Sequence, residues 1–310
     1  MIPAHVIKKI RQIHIKSKRT VNTLMAGQYR SVFRGSGIEF EEVREYSPGD
    51  DVKSIDWNVS ARSGKVFVKQ YREERESIVM LLVDMSASLG FGTRFGRKLE
   101  KTAELASVLA FNAVKNNDKV GVVFFTDQVE KYIPPKKGAS HVWRVIKEIF
   151  TFVPRGRGTD IAAALDFMSR ISKKRCFVFV ISDFLSGSTG GTPNIHNTGD
   201  RDRHDYERSL KILCRRHEVV GIRVYDTGAF HLPAAGMITC EDFETGEIRF
   251  LDAGHKRTRA WFTAARKGMH EATSRLFSMA GVDLVDLDTA ESTADVLTRY
   301  FRLRERRQGR

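Results

Sequence analysis

The stretch Ile78-Val79-Met80-Leu81-Leu82-Val83-Asp84-Met85-Ser86-Ala87-Ser88 decides how this chain is read. Its first six residues are apolar without a break. Continuous apolar character, rather than alternation, marks a strand covered on both faces. Such strands need helices packed above and below a mostly parallel sheet. The run then ends abruptly in an aspartate and two serines at alternating positions. In an open parallel sheet, ligands bind just beyond the carboxyl ends of the strands. The stretch therefore predicts a core strand and a polar rim together.

Working outward, apolar runs recur at 120–125, 177–181, 219–225 and 282–287. Amphipathic helical patterns at 97–116, 141–151, 160–172, 205–216, 255–280 and 291–303 lie between or after most of them. This alternation predicts an α/β fold with a doubly wound, mostly parallel sheet. The polar-alternating segment 129–133 reads as an antiparallel edge strand, and 238–251 as a hairpin folded over Glu244-Thr245-Gly246-Glu247. Residues 186–203 are rich in Gly, Ser, Thr, Asn and Asp and read as a long loop. Upstream, 28–77 shows short β-prone pieces broken by Gly35, Gly37, the Ser47-Pro48-Gly49-Asp50 turn and Ser63-Gly64. The expected organisation is a basic helical arm (1–27), a β-rich segment (28–77), the α/β domain (78–303) and a basic tail (304–310).

The formal net charge of +14 suggests nucleic acid until it is located. Eight basic residues and no acid precede Glu39, and the last twelve residues carry six arginines against Glu305. The body is nearly neutral. Basic arms can hold phosphates, anionic lipid or an acidic partner. No nucleic-acid motif accompanies them, so nucleic-acid or anionic-surface binding ranks as the alternative reading. The three cysteines (Cys176, Cys214, Cys240) have no CxxC spacing, which argues against a thiolate zinc site and for a reducing compartment. No apolar run approaches the roughly 20 residues of a membrane span. A cytoplasmic protein is expected.

Two further polar clusters belong to the rim. Ile181-Ser182-Asp183 closes one strand, and Arg155-Gly156-Arg157-Gly158-Thr159-Asp160-Ile161 is a glycine-rich turn presenting a threonine at a helix start. Asp84, Ser86, Ser88, Thr159 and Asp183 then form an all-oxygen set suited to a hard divalent cation: magnesium foremost, with manganese and calcium as alternatives. No His or Cys enters the set, which argues against zinc.

These motifs in this order, DMSAS, GTDIAAAL and ISDF, resemble the metal-ion-dependent adhesion site of von Willebrand factor A domains. That resemblance implies that Ser86, Ser88 and Thr159 bind the metal, that Asp84 and Asp183 bind it directly or through water, and that an acidic side chain of a partner completes the shell. The segment from Gly35 to Glu74 resembles the signature of the bacterial domain-of-unknown-function family 58. Members join this block to an A-type domain, and many are encoded beside MoxR-type AAA+ ATPases. The implied partner is therefore such an ATPase, or a client protein offering a carboxylate. The implied role is a non-enzymatic adaptor or co-chaperone.

Partner selectivity is expected from loops 89–96, 154–158 and 184–203, with Arg155, Arg157 and Asp160 at the centre. In the upstream block, Arg44 or Arg62 can pair bidentately with Asp50, Asp51 or Asp56, and Trp57 reads as an anchor. Arg44, Asp50 and Asp56 also offer a partner-facing surface. Gly90, Gly92 and Gly96 before Arg97-Lys98 lack phosphate-loop spacing and read as a loop. No positioned base or phosphate clamp supports a magnesium phosphohydrolase.

Overall fold

A computed structural model describes residues 39–72, 77–93, 96–185 and 205–308. The expected helical arm (1–27) and the loop 186–203 lie outside the described residues. The described residues divide into a small unit, 39–72 with Ser77, and a large unit from Ile78 onward.

In the small unit, β1 (Glu39–Glu45) pairs antiparallel with β2 (Phe67–Arg72). Between them lies α1 (Trp57–Ser63). The Asp56 carboxylate caps it by accepting from the Asn58 and Val59 amides, and Gly64 stops it at φ 72°. The segment is therefore less purely β than its turn residues imply. Trp57 is not an anchor: it follows the cap directly and is 67% exposed.

The large unit is built on a six-stranded sheet in the order β12-β9-β8-β3-β6-β7. Its strands are β3 (Ile78–Asp84), β6 (Lys119–Phe125), β7 (Val129–Lys136), β8 (Phe177–Ser182), β9 (Glu218–Tyr225) and β12 (Asp283–Asp288). All neighbours are parallel except β7, which runs antiparallel to β6 at the edge. Two two-residue strands, β4 (Gly92–Thr93) and β5 (Gly96–Arg97), form a small ribbon. The inserted hairpin is β10 (Met237–Glu241) and β11 (Ile248–Asp252).

Helices cover both faces. Alternate residues of β3 point to opposite sides. Met80 and Leu82 pack into a cluster with Ile161, Leu165, Leu210 and Phe277, from α4 (Ile161–Ile171), α5 (Asp205–Cys214) and α6 (Lys256–Met279). The other helices are α2 (Lys98–Lys115), α3 (Ala139–Thr151) and α7 (Thr293–Gln308); α2 packs against both α3 and α7. Val79, Leu81 and Val83 of β3 are fully buried. At roughly 1.5–3 kcal/mol for each fully buried large apolar side chain, this doubly covered strand is a main source of stability.

The basic stretch set apart from residue 304 instead continues α7 through Gln308. Arg304 is mostly buried against Glu218, and Arg307 Nη1 lies 3.0 Å from Asp283 Oδ1. Acidic residues at the starts of β9 and β12 supply the partners. Among the described residues, no helix is long and apolar enough to cross a membrane.

Candidate metal centre

Strands β3 and β8 are neighbours, yet the chain leaves β3 for β6 on one side and β8 for β9 on the other. That divergence opens a crevice at their carboxyl ends, the switch point of a doubly wound sheet. Asp84, the last residue of β3, is fully buried there. Its Oδ1 accepts the Ser86 amide at 2.8 Å, and its Oδ2 accepts the Ser182 hydroxyl at 2.5 Å. The Ser86 and Ser88 hydroxyl oxygens lie 3.0 Å apart, so the alternating serines do aim at one place.

The glycine-rich turn is tied to the same rim through its backbone. The Ala87 amide donates to the Arg157 carbonyl at 3.0 Å. Glu130 Oε1 accepts the Arg155 and Gly156 amides at 3.0 and 2.7 Å. Gly156 leaves room for the Asp127 carboxylate and the Thr126 hydroxyl, since a Cβ there would sit 1.8 Å from Asp127 Oδ1 and those side chains would have to move. Asp160 caps α4 through the Ala163 amide at 2.8 Å. The Arg155, Arg157 and Asp160 side chains are exposed, whereas Thr159 is half-buried and donates to Glu244 Oε1 at 2.6 Å.

Asp183 follows β8 directly and is buried. Its Oδ1 accepts the Leu185 amide at 3.1 Å, and its Oδ2 lies 2.8 Å from Lys98 Nζ. Both side chains of that ion pair are nearly inaccessible, at 6% and 1% exposure. The next residue, Phe184, sits at φ 54°, a region bulky residues avoid. Phe184 packs edge-on against Phe277 at 5.0 Å.

Burial pushes the Asp84 carboxyl up to about 6, and the charge of Asp183 adds to this against the bonds from Ser182 and Ser86. Burial also raises Glu244 to about 7; its bond from Thr159 opposes the rise, while Asp183, Asp84 and Asp242 reinforce it. Four carboxylates, Asp84, Asp183, Asp242 and Glu244, thus act on one another across the rim, against two cations, Lys98 and Arg266.

The rim gathers Asp84, Ser86, Ser88 and Asp183, and Thr159 joins them through Glu244. Arg44, Asp50 and Asp56 belong to the small unit, where their contacts are internal. Arg44 pairs bidentately with Asp50 at 2.9 and 2.7 Å, as its spacing suggests, and Asp56 is the cap of α1. Sequence reasoning missed Lys98 and Glu244. Lys98 stood behind glycines read as a loop, and Glu244 at the tip of a hairpin whose destination no local pattern reveals.

Among the described residues, no group of three or more His, Cys, Asp or Glu side chains is arranged to hold a metal ion. A cation at this rim would therefore draw on the hydroxyls of Ser86, Ser88 and Thr159 as well as on the carboxylates. The donor set is wholly oxygen, and the acids Asp84, Asp183, Asp242 and Glu244 outnumber the cations Lys98 and Arg266, which suits a hard divalent ion. Beside the rim opens a cavity of about 640 Å³, reached past Ser88, Asp183 and Glu244 and walled by Phe91, Phe230 and Phe262.

An open α/β sheet with an acidic, hydroxyl-lined crevice at its switch point is the class of protein that fold and site define. More particularly, the chain belongs to the family described as Protein of unknown function DUF58, which it matches over residues 42–272. Uncharacterized proteins of Mycobacterium bovis and Mycobacterium tuberculosis are each 28% identical to it over 299 residues, 96% of this chain and 89% of theirs. Among solved structures, the conserved hypothetical protein BatB from Bacteroides thetaiotaomicron is similar at 15% identity and a TM-score of 0.43, over 74% of this chain and 99% of that one. An aerotolerance-related membrane protein from Bacteroides fragilis is similar at 18% identity and a TM-score of 0.45, over 74% and 99%.

Proposed function

We propose that this protein is a metal-dependent protein–protein interaction module of the von Willebrand factor A type, serving as an adaptor or co-chaperone for a MoxR-type AAA+ ATPase. The observation that carries this reading is the meeting of Asp84, Asp183 and the serine hydroxyls at the β3–β8 switch point, with more carboxylate than Lys98 and Arg266 together balance. Ser86, Ser88 and Thr159 would hold a divalent cation, magnesium foremost, with Asp84 and Asp183 as its acidic partners directly or through water. Such an ion supplies an electrophilic position for an incoming carboxylate oxygen. Asp84 is held for this task by the Ser86 amide and the Ser182 hydroxyl, so neither oxygen has to reorganise on binding.

The partner's acidic side chain enters at the rim, and the exposed Arg155 and Arg157 beside it favour an acidic approach and set orientation. Nothing in this scheme turns over a substrate. The module binds, and its selectivity lies in the loops around the crevice.

The test is titration of the full chain against the MoxR-type ATPase, with and without chelator, and with Asp84→Ala. Binding is expected to need the divalent cation and to vanish in the variant. Equal binding in all three conditions would remove the metal-dependent mechanism.

A further inference from the structure

The inserted hairpin delivers a carboxylate of this chain's own to the rim. We infer that Glu244 is an internal ligand of the rim cation, filling the position that a partner's acidic side chain must take. This rests on the reading of the rim as a metal-dependent adhesion site and deepens it, because it makes the site self-liganded.

The hairpin tip is built to present that residue. Asp242 is buried at 6% exposure, and its Oδ1 accepts the Glu244 and Thr245 amides at 2.9 and 3.1 Å. The Asp242 amide donates to the Glu247 carbonyl at 2.9 Å, and Gly246 closes the turn onto the Asp242 carbonyl at 2.7 Å with φ 73°. Phe243 packs 6.0 Å from Phe91, on the segment that follows Ser88. Further back the strands expose Met237, Ile248 and Phe250, at 66%, 59% and 70%. The tip is seated while one face of the hairpin's body is open to solvent.

What the tip brings is a half-buried carboxylate whose Oε1 takes the Thr159 hydroxyl, within the field of Asp84 and Asp183. Placing another acid among buried ones is unfavourable, and the one hydrogen bond from the Thr159 hydroxyl offsets only part of that cost. A shared divalent cation removes the conflict. Thr159 marks the place, since the same hydroxyl that contacts Glu244 belongs to the cation's donor set. A partner carboxylate then has to displace a residue already tethered there, and the hairpin tip acts as an exchangeable plug.

The experiment is Mn2+ binding to the full chain by calorimetry, with the folded state of each variant checked by circular dichroism. Glu244→Ala is expected to weaken Mn2+ by roughly 10- to 100-fold, the range seen even for loss of an outer-shell partner. Added acetate should restore part of that affinity in the variant and leave wild type unchanged, because a free carboxylate then occupies the vacated position. Thr245→Ala, in the same turn, should bind as wild type does. If Glu244→Ala binds Mn2+ like wild type while Asp84→Ala does not, the adhesion site stands and the internal ligand is wrong. A weakening that Thr245→Ala reproduces, or that acetate fails to reverse, assigns the effect to the turn and also overturns it. No Mn2+ binding by wild type discards both readings.

Discussion

Two buried cations of the large unit, Arg223 and Lys98, make opposite kinds of site. Arg223, on β9, is 2% exposed and bonded on every side. Its Nε lies 2.7 Å from Asp286 Oδ1, its Nη1 donates to the His270 carbonyl at 2.6 Å, and its Nη2 reaches His270 Nε2 and Ser274 Oγ at 2.8 and 2.9 Å. One positive charge meets one negative charge, and the planar guanidinium makes four hydrogen bonds from its five donors. Burial pushes Asp286 up, but His270, 3.7 Å away, and the hydrogen bond and charge of Arg223 outweigh it and hold the carboxyl below its ordinary value. At the rim, Lys98 faces Asp183 with Asp84 and Glu244 behind, and those two carboxyls are held above theirs. A closed network of matched charge is a structural fastening. A network short of positive charge is one that something else completes.

The sharpest way to break this contrast is to remove each cation while keeping its volume. Lys98→Met leaves Asp183 buried without its ammonium, and breaking an enclosed pair costs about 3–5 kcal/mol. In chelator, urea unfolding should show a loss of that size, and millimolar magnesium should recover much of it. Arg223→Met should cost about 3 kcal/mol, the low end of the same range, because Asp286 retains 42% of its side-chain exposure. That loss should be identical with and without magnesium. Recovery of the Arg223 variant by magnesium, or indifference of the Lys98 variant, would erase the distinction between the two sites.

A smaller effect should separate the acids. A cation that binds the folded state stabilises it by mass action, about 2.7 kcal/mol at 100 times its dissociation constant. Wild type should therefore melt higher as magnesium is added, while Asp84→Asn should not respond. In chelator the variant should be at least as stable as wild type, since it removes one charge from a crowded rim. A magnesium-induced shift retained in Asp84→Asn would place the ion elsewhere.

How much of this was legible depends on whether a residue's neighbours lie close to it in sequence. The strands were plain because residues such as Val79, Leu81 and Val83 are buried on a sheet covered twice, which forces an unbroken apolar run. Asp84, Ser86, Ser88 and Asp183 were legible because a polar residue directly after such a run has one place to go, the rim. Their meeting followed from the β3–β8 adjacency, which the doubly wound pattern implies. Lys98 was not legible, because its partner lies 85 residues away and its preceding glycines suggested only a loop. The glutamate of the hairpin tip was hidden for the same reason: an insertion's local pattern fixes its turn, not where the turn docks. Trp57 failed differently. Its size suggested burial, but the Asp56 cap places it on the outer turn of a short helix.

The last effect in the comparison is the most specific to the rim, because it asks which side of its ordinary value a carboxyl sits on. Glu244 is raised to about 7 in the folded chain, from an ordinary value of 4.5. A fold that raises an acid's value holds its proton more tightly than the unfolded chain does. Stability from that group is therefore fully present below about 4.5 and declines as pH climbs to about 7, then levels. Glu244→Gln cannot titrate and mimics the protonated form. In chelator, wild type should match the variant near pH 4.5 and fall progressively below it up to about pH 7. Asp286, held low by its partners, runs the other way: its contribution is present above its ordinary carboxylate range and is lost as pH falls. Asp286→Asn should therefore lose most against wild type at neutral pH and approach it in acid. Melting curves of the two variants against wild type across this range should diverge in opposite senses. If the Glu244→Gln difference stays flat with pH, Glu244 titrates as an ordinary surface acid, and the rim lacks the crowding of charge that sets it apart from the Arg223 network.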